Sequence, residues 1–379
     1  MATVTLLSRA ALGLDTPPVR VVHLGLGNFH RAHQAWYTEH AGNRAEWGIA
    51  AFSVRSAGLS ERLTAQDGLY SLVERGPEAD RVEVIGSLVE THAGDSPRFV
   101  EVLTAPTTAV VTLTTTEGGY SFDGDTPPLA LGRLARGLEA RRRANAGPIA
   151  LVPCDNLPSN GEALRQALQR LDPGLDDTVS FVSTSVDRIT PRLTAAELVG
   201  LRTASGWDDD APVVTEPFSD WVLQGVFPGG RPQWETGGAR FVDDVEPFER
   251  RKLWLLNGAH TILAASGPGR GHETVAAAFA GPYCAALVTG FWDEAARHLT
   301  NAGLDIPSYL AQLRQRFANP RIAHRLTDIA DQAPAKVRVR LLPVLRAERQ
   351  AGRTGAATLR ALADAPELLA ILTATEGTP

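Results

Sequence analysis

The chain has 379 residues, of which 44% are hydrophobic and 21% are charged, and its formal net charge is −6. These values are typical of a globular protein with two or three domains and a sizeable core. A net negative chain without a basic stripe argues against a nucleic-acid partner, because phosphate groups would be repelled.

The cysteine content and the apolar runs set further bounds. Only Cys154 and Cys284 occur, so there is neither a disulfide framework nor a CxxC metal signature. This usage favours a reducing, cytoplasmic setting. No apolar run reaches the roughly 18 residues that cross a bilayer. Residues 1–9 lack the charged leader and apolar stretch of a signal peptide. We therefore expect no membrane partner.

The first half of the chain alternates β-branched runs with helical patterns, which predicts a parallel sheet covered on both faces. The predicted strands are residues 19–24, 48–54, 82–85, 109–113, 148–152 and 179–183. The predicted helices between them are residues 31–41, 129–144 and 161–171. Residues 207–233 are rich in Pro, Asp and Gly, which indicates an irregular connection with a short strand or two.

From about residue 246 the chain consists of Ala-, Leu- and Arg-rich segments with helical texture. We therefore place a domain boundary near residue 245. The predicted fold is α/β: a Rossmann-type, doubly wound parallel sheet domain with an irregular extension at residues 1–245, followed by a mainly α-helical substrate and catalytic domain at residues 246–379.

The first predicted strand leads directly into Gly25-Leu-Gly27-Asn28-Phe29-His30. Glycines at a strand-to-helix turn allow a tight bend and let the backbone approach a pyrophosphate, which then rests on the helix N-terminus. His30 replaces the third glycine of the usual GxGxxG pattern. The position of the motif, between an apolar strand and a helical pattern, still favours a dinucleotide site. His30 and His33 lack a third ligand, so packing or phosphate contact explains them better than a metal.

The second predicted strand ends in Ser53-Val54-Arg55-Ser56-Ala57, without the carboxylate that binds a ribose 2′-hydroxyl. Arg55 and Ser56 would suit a 2′-phosphate. Alternatively, Arg55 lies flat over the adenine and does not contact the 2′ position. Both NAD(H) and NADP(H) therefore remain candidates.

The segment Lys252-Leu-Trp-Leu-Leu-Asn257-Gly-Ala-His260 places three polar side chains in an apolar run. On a regular α-helix Lys252, His260 and Asn257 would lie at roughly 0°, 80° and 140°, with Glu249 at roughly 60°. Burying such groups costs several kcal/mol unless they have a partner or a task. A lysine there is a candidate general base, and Asn257 and His260 are candidate donors to an alkoxide. A polar seam between packed helices is the alternative.

Three further polar segments follow predicted strands or connect them. Thr114 and Thr116 could line the nicotinamide ribose or only shape a loop. Asn156 could donate to a substrate oxygen; alternatively, Asp155 and Asn156 build a turn and Asn160 caps the next helix. Asp187-Arg188 is better explained as an ion pair that braces the domain than as a catalytic pair.

Several of these motifs together resemble the polyol-specific long-chain dehydrogenases, which include mannitol 2-dehydrogenase, fructuronate reductase and tagaturonate reductase. The resemblance covers roughly residues 19–275. The motifs that carry it, in order, are Gly25-Leu-Gly-Asn-Phe-His-Arg-Ala-His33, Thr114-Thr-Thr-Glu-Gly-Gly-Tyr120, Cys154-Asp-Asn-Leu-Pro158, Val186-Asp-Arg-Ile-Thr-Pro191, Thr215-Glu-Pro-Phe218 and Lys252-x4-Asn257-x2-His260. Beyond them, Asp331-Gln-Ala-Pro-Ala-Lys336 only loosely matches the family's Asp-Gly-Ser-x-Lys motif.

The resemblance implies roles for individual residues. Lys252 would be the general base, Glu249 a proton relay to it, and His260 the group that orients the reacting oxygen. Asn156 and Asn257 would stabilise the oxyanion, with Asn156 also near the cofactor. The remaining candidates are, for the cofactor, Gly25, Gly27, Asn28, Phe29, Arg55, Thr114 and Thr116, and, for the substrate, Lys336, Asp187 and Arg338.

The sequence therefore predicts a cytoplasmic, metal-independent oxidoreductase that uses NAD(H), or else NADP(H), to interconvert a secondary alcohol of a sugar alcohol with the ketose. We expect a monomer or homodimer. One alternative is a hexuronate reductase, which would need a cationic pocket, for example from Lys336, Arg338 or Arg340. Another is a dinucleotide-binding redox sensor without turnover, although the Lys252, Asn257 and His260 set argues against it.

Overall fold

The structure is a computed structural model that describes residues 5–54, 57–115 and 117–374. It divides into two compact units. The first unit is formed by Met1–Arg75 with Ala79–Val245, and the second by Gly76–Glu78 with Glu246–Pro379.

The described residues of the first unit form short strands and helices in alternation. The strands are β1 (Val19–Leu24), β2 (Gly48–Phe52), β3 (Tyr70–Arg75), β4 (Asp80–Ile85), β5 (Leu88–His92), β6 (Val110–Leu113), β7 (Ile149–Pro153), β8 (Val179–Phe181), β9 (Ser183–Asp187), β10 (Val213–Thr215), β11 (Asp220–Gln224) and β12 (Arg240–Phe241). The helices are α1 (Arg9–Leu12), α2 (Asn28–Ala32), α3 (Gln34–Glu39), α4 (Gly58–Thr64), α5 (Arg98–Thr104), α6 (Leu129–Arg143), α7 (Asn160–Leu171) and α8 (Ala195–Leu201).

The described residues of the second unit form mainly helices, joined by short loops. Its elements are α9 (Glu246–Arg251), a π-helical segment (Lys252–Gly258), α10 (Ala259–Ser266), α11 (Val275–Ala280), α12 (Pro282–Ala296), α13 (Ile306–Ala318), α14 (Leu326–Ala330), α15 (Ala333–Arg340), α16 (Leu342–Gln350), α17 (Ala356–Arg360) and α18 (Pro366–Ala374). The predicted fold class, a parallel sheet followed by a helical region, is confirmed.

A parallel sheet with the order β5-β2-β1-β6-β7-β8 forms the centre of the first unit. This order reverses direction between β1 and β6, which is the switch point at which such folds bind dinucleotides. Every residue of β2, β6 and β7 is buried, as expected for strands covered on both faces. Separate apolar clusters pack on the two faces, one around Val21 and Ile49 and the other around Val22 and Phe52.

The prediction of strand 82–85 as part of the parallel sheet is wrong. Those residues belong to β4, which pairs antiparallel with β3 in a separate sheet of order β10-β3-β4. The outer strand of the parallel sheet is instead β5, which pairs with β2. β4 is half exposed and β-branched, so its sequence resembles a sheet strand strongly, whereas the edge strand β5 contains few apolar residues.

The single helix predicted at residues 31–41 is two short helices, α2 and α3. The break is at His33, whose φ of −123° and ψ of −86° are not helical. His33 Nε2 donates to the Asp220 carbonyl at 3.1 Å and Nδ1 accepts from Gln34 Nε2 at 3.0 Å. These two bonds fix the His33 ring at the point where the helix breaks.

His23 of β1 and His30 of α2 stack inside the first unit. Both are fully buried, with ring centroids 3.3 Å apart and planes 9° from parallel. Burial lowers the pKa of His23 to about 3 and the pKa of His30 well below 6.5. Both rings are therefore neutral at neutral pH, and His30 acts as a packing residue.

Among helices in the described ranges, none has both the length and the apolar content to span a membrane.

Acidification should destabilise the first unit through this histidine pair. Below about pH 6.5 a histidine of the unfolded chain binds a proton, whereas the buried ring of the folded protein stays neutral. The contribution of the ring to the free energy of unfolding is therefore fully present above this pH and is lost as pH falls toward the folded-state pKa. Each such histidine contributes a slope of about 1.4 kcal/mol per pH unit. Urea unfolding between about pH 7 and about pH 5 should show a smaller slope for His30→Leu than for wild type. If the free energy of unfolding depended on pH equally in His30→Leu and wild type, His30 would not be a neutral buried group in the folded protein.

Candidate functional site

The turn after β1 is tightly held by its neighbours. Gly25 has a φ of +111°, and a Cβ atom there would lie 2.4 Å from both the carbonyl oxygen and the hydroxyl of Thr114. Its amide donates to the Phe52 carbonyl at 2.9 Å. Both the backbone conformation and the close approach of Thr114 therefore require glycine at position 25.

Gly27, in contrast, is not required by the fold. It precedes α2 as an N-cap with extended backbone and no side-chain cap, and a Cβ atom there would meet only the Gly25 carbonyl, at 3.5 Å. The space in front of the first turn of α2 thus lacks a side chain, and its backbone N–H groups suit a pyrophosphate. The predicted cofactor residue Asn28 accepts a hydrogen bond from Arg31 at 2.8 Å, and Phe29 stacks on His33.

Thr114 connects the glycine turn to the buried histidine pair. Its hydroxyl donates to the Gly25 carbonyl at 2.8 Å and lies 3.3 Å from His23 Nε2. The other nitrogen of His23 contacts the Thr112 hydroxyl at 2.8 Å. Thr114 therefore holds the turn in place. Thr116 and Arg55, also predicted to contact the cofactor, lie outside the described residues.

Sequence reasoning missed Arg133 at the end of β2. The Nη1 atom of this α6 residue lies 3.4 Å from the carbonyl oxygens of Ser53 and Val54. It places a cation where dinucleotide folds discriminate between ribose substituents. Nothing in the sequence signals this contact, because Arg133 follows β2 by about eighty residues.

Two side chains, those of Asp155 and Asn160, hold the loop after β7. Asp155 accepts from the Leu157 amide at 2.9 Å, which forms the turn considered from sequence, and it also accepts from the Tyr120 hydroxyl. Asn160 does not cap α7. Its buried amide instead donates to the Thr184 carbonyl and accepts from the Thr184 amide, at 3.1 and 2.8 Å. Asn156 is exposed on this loop, and its role beside Asn257 stays a prediction.

Asp187 ends β9 and is 6% exposed. Its neighbour Arg188 forms a buried ion pair with Glu74 and donates to the Ala32 carbonyl at 2.6 Å. Arg188 thus braces the first unit, and a role for Asp187 toward substrate stays a prediction.

In the second unit the regular α-helix predicted through Lys252 and His260 is wrong. Residues Lys252–Gly258 form a π-helical segment, here called the π turn, between α9 and α10. Hydrogen bonds in a π-helix join residues five apart instead of four, so each turn takes up about one extra residue. Lys252 and Asn257 are five residues apart and therefore lie much closer to one face than the roughly 140° of an α-helix would allow.

His260, in the first turn of α10, is 6% exposed and surrounded by aromatic rings. It stacks on Phe317 at 4.9 Å and meets His324 edge-on at 4.8 Å. Burial lowers its pKa well below 6.5, and the neighbouring His324, Arg316, Arg340 and Lys252 add to the effect. The imidazole is therefore neutral. Its Nε2 atom is buried without a hydrogen-bond partner among the described residues, which suits contact with a substrate oxygen.

The other predicted residues of this unit differ in their exposure. Lys252 and Asn257 are half-buried, as is Glu249 on α9. Lys336 is half-buried on α15 and donates to the Ile329 carbonyl at 2.9 Å. Arg338 on the same helix is exposed to solvent. Arg340 donates to the Asn257 carbonyl at 3.3 Å.

Sequence reasoning also missed Thr261, Phe317 and His324 around His260. The α-helical period places Thr261 one turn after Asn257, so this residue could have been found. Phe317 and His324 follow His260 by more than fifty residues and carry no motif. Among residues 5–54, 57–115 and 117–374, no group of three or more His, Cys, Asp or Glu side chains could hold a metal ion.

Comparison with known families covers both units. A family model described as the mannitol dehydrogenase Rossmann domain matches residues 19–236, and one described as the mannitol dehydrogenase C-terminal domain matches residues 244–365. The chain belongs to the mannitol dehydrogenase family. The resemblance seen in the sequence motifs is thereby confirmed, and with it the predicted class of enzyme, a dehydrogenase.

Curated members of the family align over most of their length. D-mannonate oxidoreductase of Escherichia coli strain K12 is 35% identical, over 88% of this chain and 76% of the relative. Mannitol 2-dehydrogenase of Cereibacter sphaeroides is 34% identical, over 80% of this chain and 71% of the relative.

Two solved structures show the same fold. Pseudomonas fluorescens mannitol 2-dehydrogenase, in a ternary complex with NAD and D-mannitol, aligns with a TM-score of 0.81 at 32% identity, covering 97% of this chain and 82% of that one. Substrate-free D-sorbitol dehydrogenase aligns with a TM-score of 0.86 at 28% identity, covering 96% and 85%.

The two glycines of the turn should fail in different ways when substituted. Gly25→Ala should lower the free energy of unfolding by about 1–3 kcal/mol, because the Cβ atom meets the Thr114 backbone. Gly27→Ala should change stability by less than about 0.5 kcal/mol yet weaken dinucleotide binding about tenfold or more, because the new methyl group occupies the approach to α2. Urea unfolding and calorimetric titration with NAD would measure both. Tight NAD binding by a stable Gly27→Ala protein would contradict this location of the pyrophosphate.

Proposed function

We propose that this protein is an NAD(H)-dependent dehydrogenase that interconverts a secondary alcohol of a sugar alcohol or sugar acid with the corresponding ketone. In this proposal Lys252 is the general base, and no metal is required. The observation that carries it is the arrangement on the π turn: an amine and an amide five residues apart, followed by a neutral imidazole with a buried, unpartnered nitrogen. Isolated π segments are rare and frequently found at functional sites.

The lysine content of the chain supports a chemical role for Lys252. The sequence has 37 lysine and arginine residues together, and only Lys252 and Lys336 are lysines. Arginine supplies almost every other cation of the chain. Because a guanidinium stays protonated whereas an amine can lose its proton, lysine is needed where a base is required and arginine would serve for charge alone.

The residues of the glycine turn fit a dinucleotide. Gly25 makes the bend, Thr114 holds it, and Gly27 leaves the first amides of α2 accessible. NAD, when bound, supplies the acceptor of the hydride in oxidation. In parallel sheets, dinucleotides usually bind where the strand order changes direction, and here that point lies between β1 and β6, next to this turn. NAD(H) is preferred over NADP(H) because a family structure was solved with NAD.

The second unit supplies groups for the proton transfer. In oxidation, neutral Lys252 takes the proton of the substrate hydroxyl as the hydride leaves carbon. The Asn257 amide donates to the oxygen while its negative charge develops, and neutral His260 orients the same oxygen. In reduction, protonated Lys252 returns the proton to the oxygen. Loss of one oxyanion donor typically costs about 3 kcal/mol of transition-state stabilisation.

A sugar acid is the second substrate class to test. D-mannonate oxidoreductase and mannitol 2-dehydrogenase are similarly related to this chain, at 35% and 34% identity. Turnover of mannitol, arabinitol, fructuronate and tagaturonate, each with NAD(H) and NADP(H) and followed by absorbance of the reduced nicotinamide, would separate the two classes. Tight NAD binding with no turnover of any of them would instead favour a redox sensor.

Substitution of Lys252 should separate its role as a base from its charge. Lys252→Arg keeps the cation but cannot lose a proton, so kcat should fall about 10²–10⁴-fold, as it should in Lys252→Met. NAD affinity, measured by calorimetry, should stay within about threefold of wild type. A near-normal kcat in Lys252→Arg would show that Lys252 is not the general base.

The small number of lysines permits a direct control. Reductive ¹³C-methylation labels only two side chains in this protein, and Lys252→Arg assigns their NMR signals. The pH at which the Lys252 signal titrates in the protein without substrate should coincide with the pH at which kcat/KM for oxidation rises. Two clearly different midpoints would show that another group is the base.

A further inference from the structure

The carbonyl oxygen of Asn257 receives two side-chain hydrogen bonds. The Thr261 hydroxyl donates to it at 3.1 Å from the next turn of the same helix. Arg340 Nη1, from α15, lies 3.3 Å from this oxygen and 3.1 Å from the Thr261 hydroxyl oxygen. These three groups form a closed triangle, here called the Arg340–Thr261 brace. The Asn257 side-chain amide makes no hydrogen bond to any residue that the structure describes.

The brace lies where helical geometry changes. Asn257 is near the end of the π turn, where hydrogen bonds between residues five apart give way to the α-helical spacing of four. A π turn is rare in proteins, so additional contacts are expected to stabilise it. A charged donor forms a stronger hydrogen bond than a neutral one. Thr261 is only 4% exposed, so water competes weakly for these contacts.

Packing at Gly258 fixes the brace relative to the π turn. A Cβ atom at Gly258 would lie 2.6 Å from the ring of the fully buried Phe291 on α12 and 3.8 Å from the Arg340 carbonyl oxygen. Helices α12 and α15 therefore pack directly against the backbone beside Asn257. Because this backbone is closely packed, a displacement of the Arg340 side chain should shift the Asn257 carbonyl to which it is bonded.

We propose that Arg340 is a positioning residue, which acts through the Asn257 carbonyl to hold the Asn257 amide in the orientation that a developing oxyanion requires. This role rests on the proposed function. Oxyanion donors need placement within about 0.5 Å, and a misplacement of about 1 Å can reduce the rate about a hundredfold. Neither Arg340 nor Thr261 need contact the substrate for this effect.

The test uses the full-length protein with its best substrate and NAD. Arg340→Gln removes the charged donor, Thr261→Val removes the hydroxyl at nearly constant size, and Arg340→Lys and Thr261→Ser are conservative variants. Arg346→Gln is the matched control, because Arg346 is exposed on the next helix and has no described hydrogen bond. Urea unfolding and circular dichroism verify that each variant is folded.

We expect Arg340→Gln and Thr261→Val to lower kcat about tenfold or more with KM for substrate within about threefold. Arg340→Lys and Thr261→Ser should recover part of the loss, and Arg346→Gln should match wild type. Substrate deuterated at the reacting carbon should show a larger isotope effect on kcat in Arg340→Gln, because the chemical step becomes slower relative to product release.

Hydrogen exchange gives a readout independent of turnover. Amides of residues 252–261 should exchange about tenfold faster in Arg340→Gln than in Arg346→Gln. A large rise in KM at unchanged kcat would show that Arg340 binds substrate directly and would overturn the positioning role. Wild-type exchange and kcat in folded Arg340→Gln would overturn it as well. If wild type oxidises no substrate of the panel, the proposed function fails, and the positioning role fails with it.

Discussion

The five-residue interval between Lys252 and Asn257 constrains the rest of the second unit. Two side chains at that interval diverge on an α-helix but approach each other on a π turn. The wider turn is itself uncommon and requires support. Gly258 provides it by admitting the Phe291 ring to the backbone, and Arg340 provides it by binding the Asn257 carbonyl. Helices α12 and α15 therefore contact the π turn directly at its backbone.

A comparable constraint operates in the first unit, at the bend after β1. Gly25 takes a backbone conformation that side chains disfavour, and Thr114 fills the volume that a side chain would need. Thr114 in turn contacts His23, which stacks on His30 in a buried pair of neutral rings. The bend is thus rigid on its protein side and open on the side of Gly27, which is what a site for an extended, doubly charged ligand needs.

The sequence predicted the parallel sheet, the helical second half and the family correctly, because buried strands and spaced polar motifs leave strong local signals. It failed where long-range contacts decide the outcome. The edge strand β5 is defined by pairing with β2, and the break at His33 by a bond to Asp220. The π turn is not apparent from the sequence either, because the roughly 140° between Lys252 and Asn257 holds only for a regular α-helix. Arg133 and His324 reach their sites from distant segments and carry no motif.

The small number of lysines in this chain also limits its reaction with sugars. Open-chain sugars carry carbonyl groups that condense with unprotonated amines to form Schiff bases. A surface whose cations are guanidinium groups offers few primary amines for that side reaction. Among the side chains of this protein, only those of Lys252 and Lys336 can form such a Schiff base, and one of these two is the amine to which the proposed function gives the proton transfer.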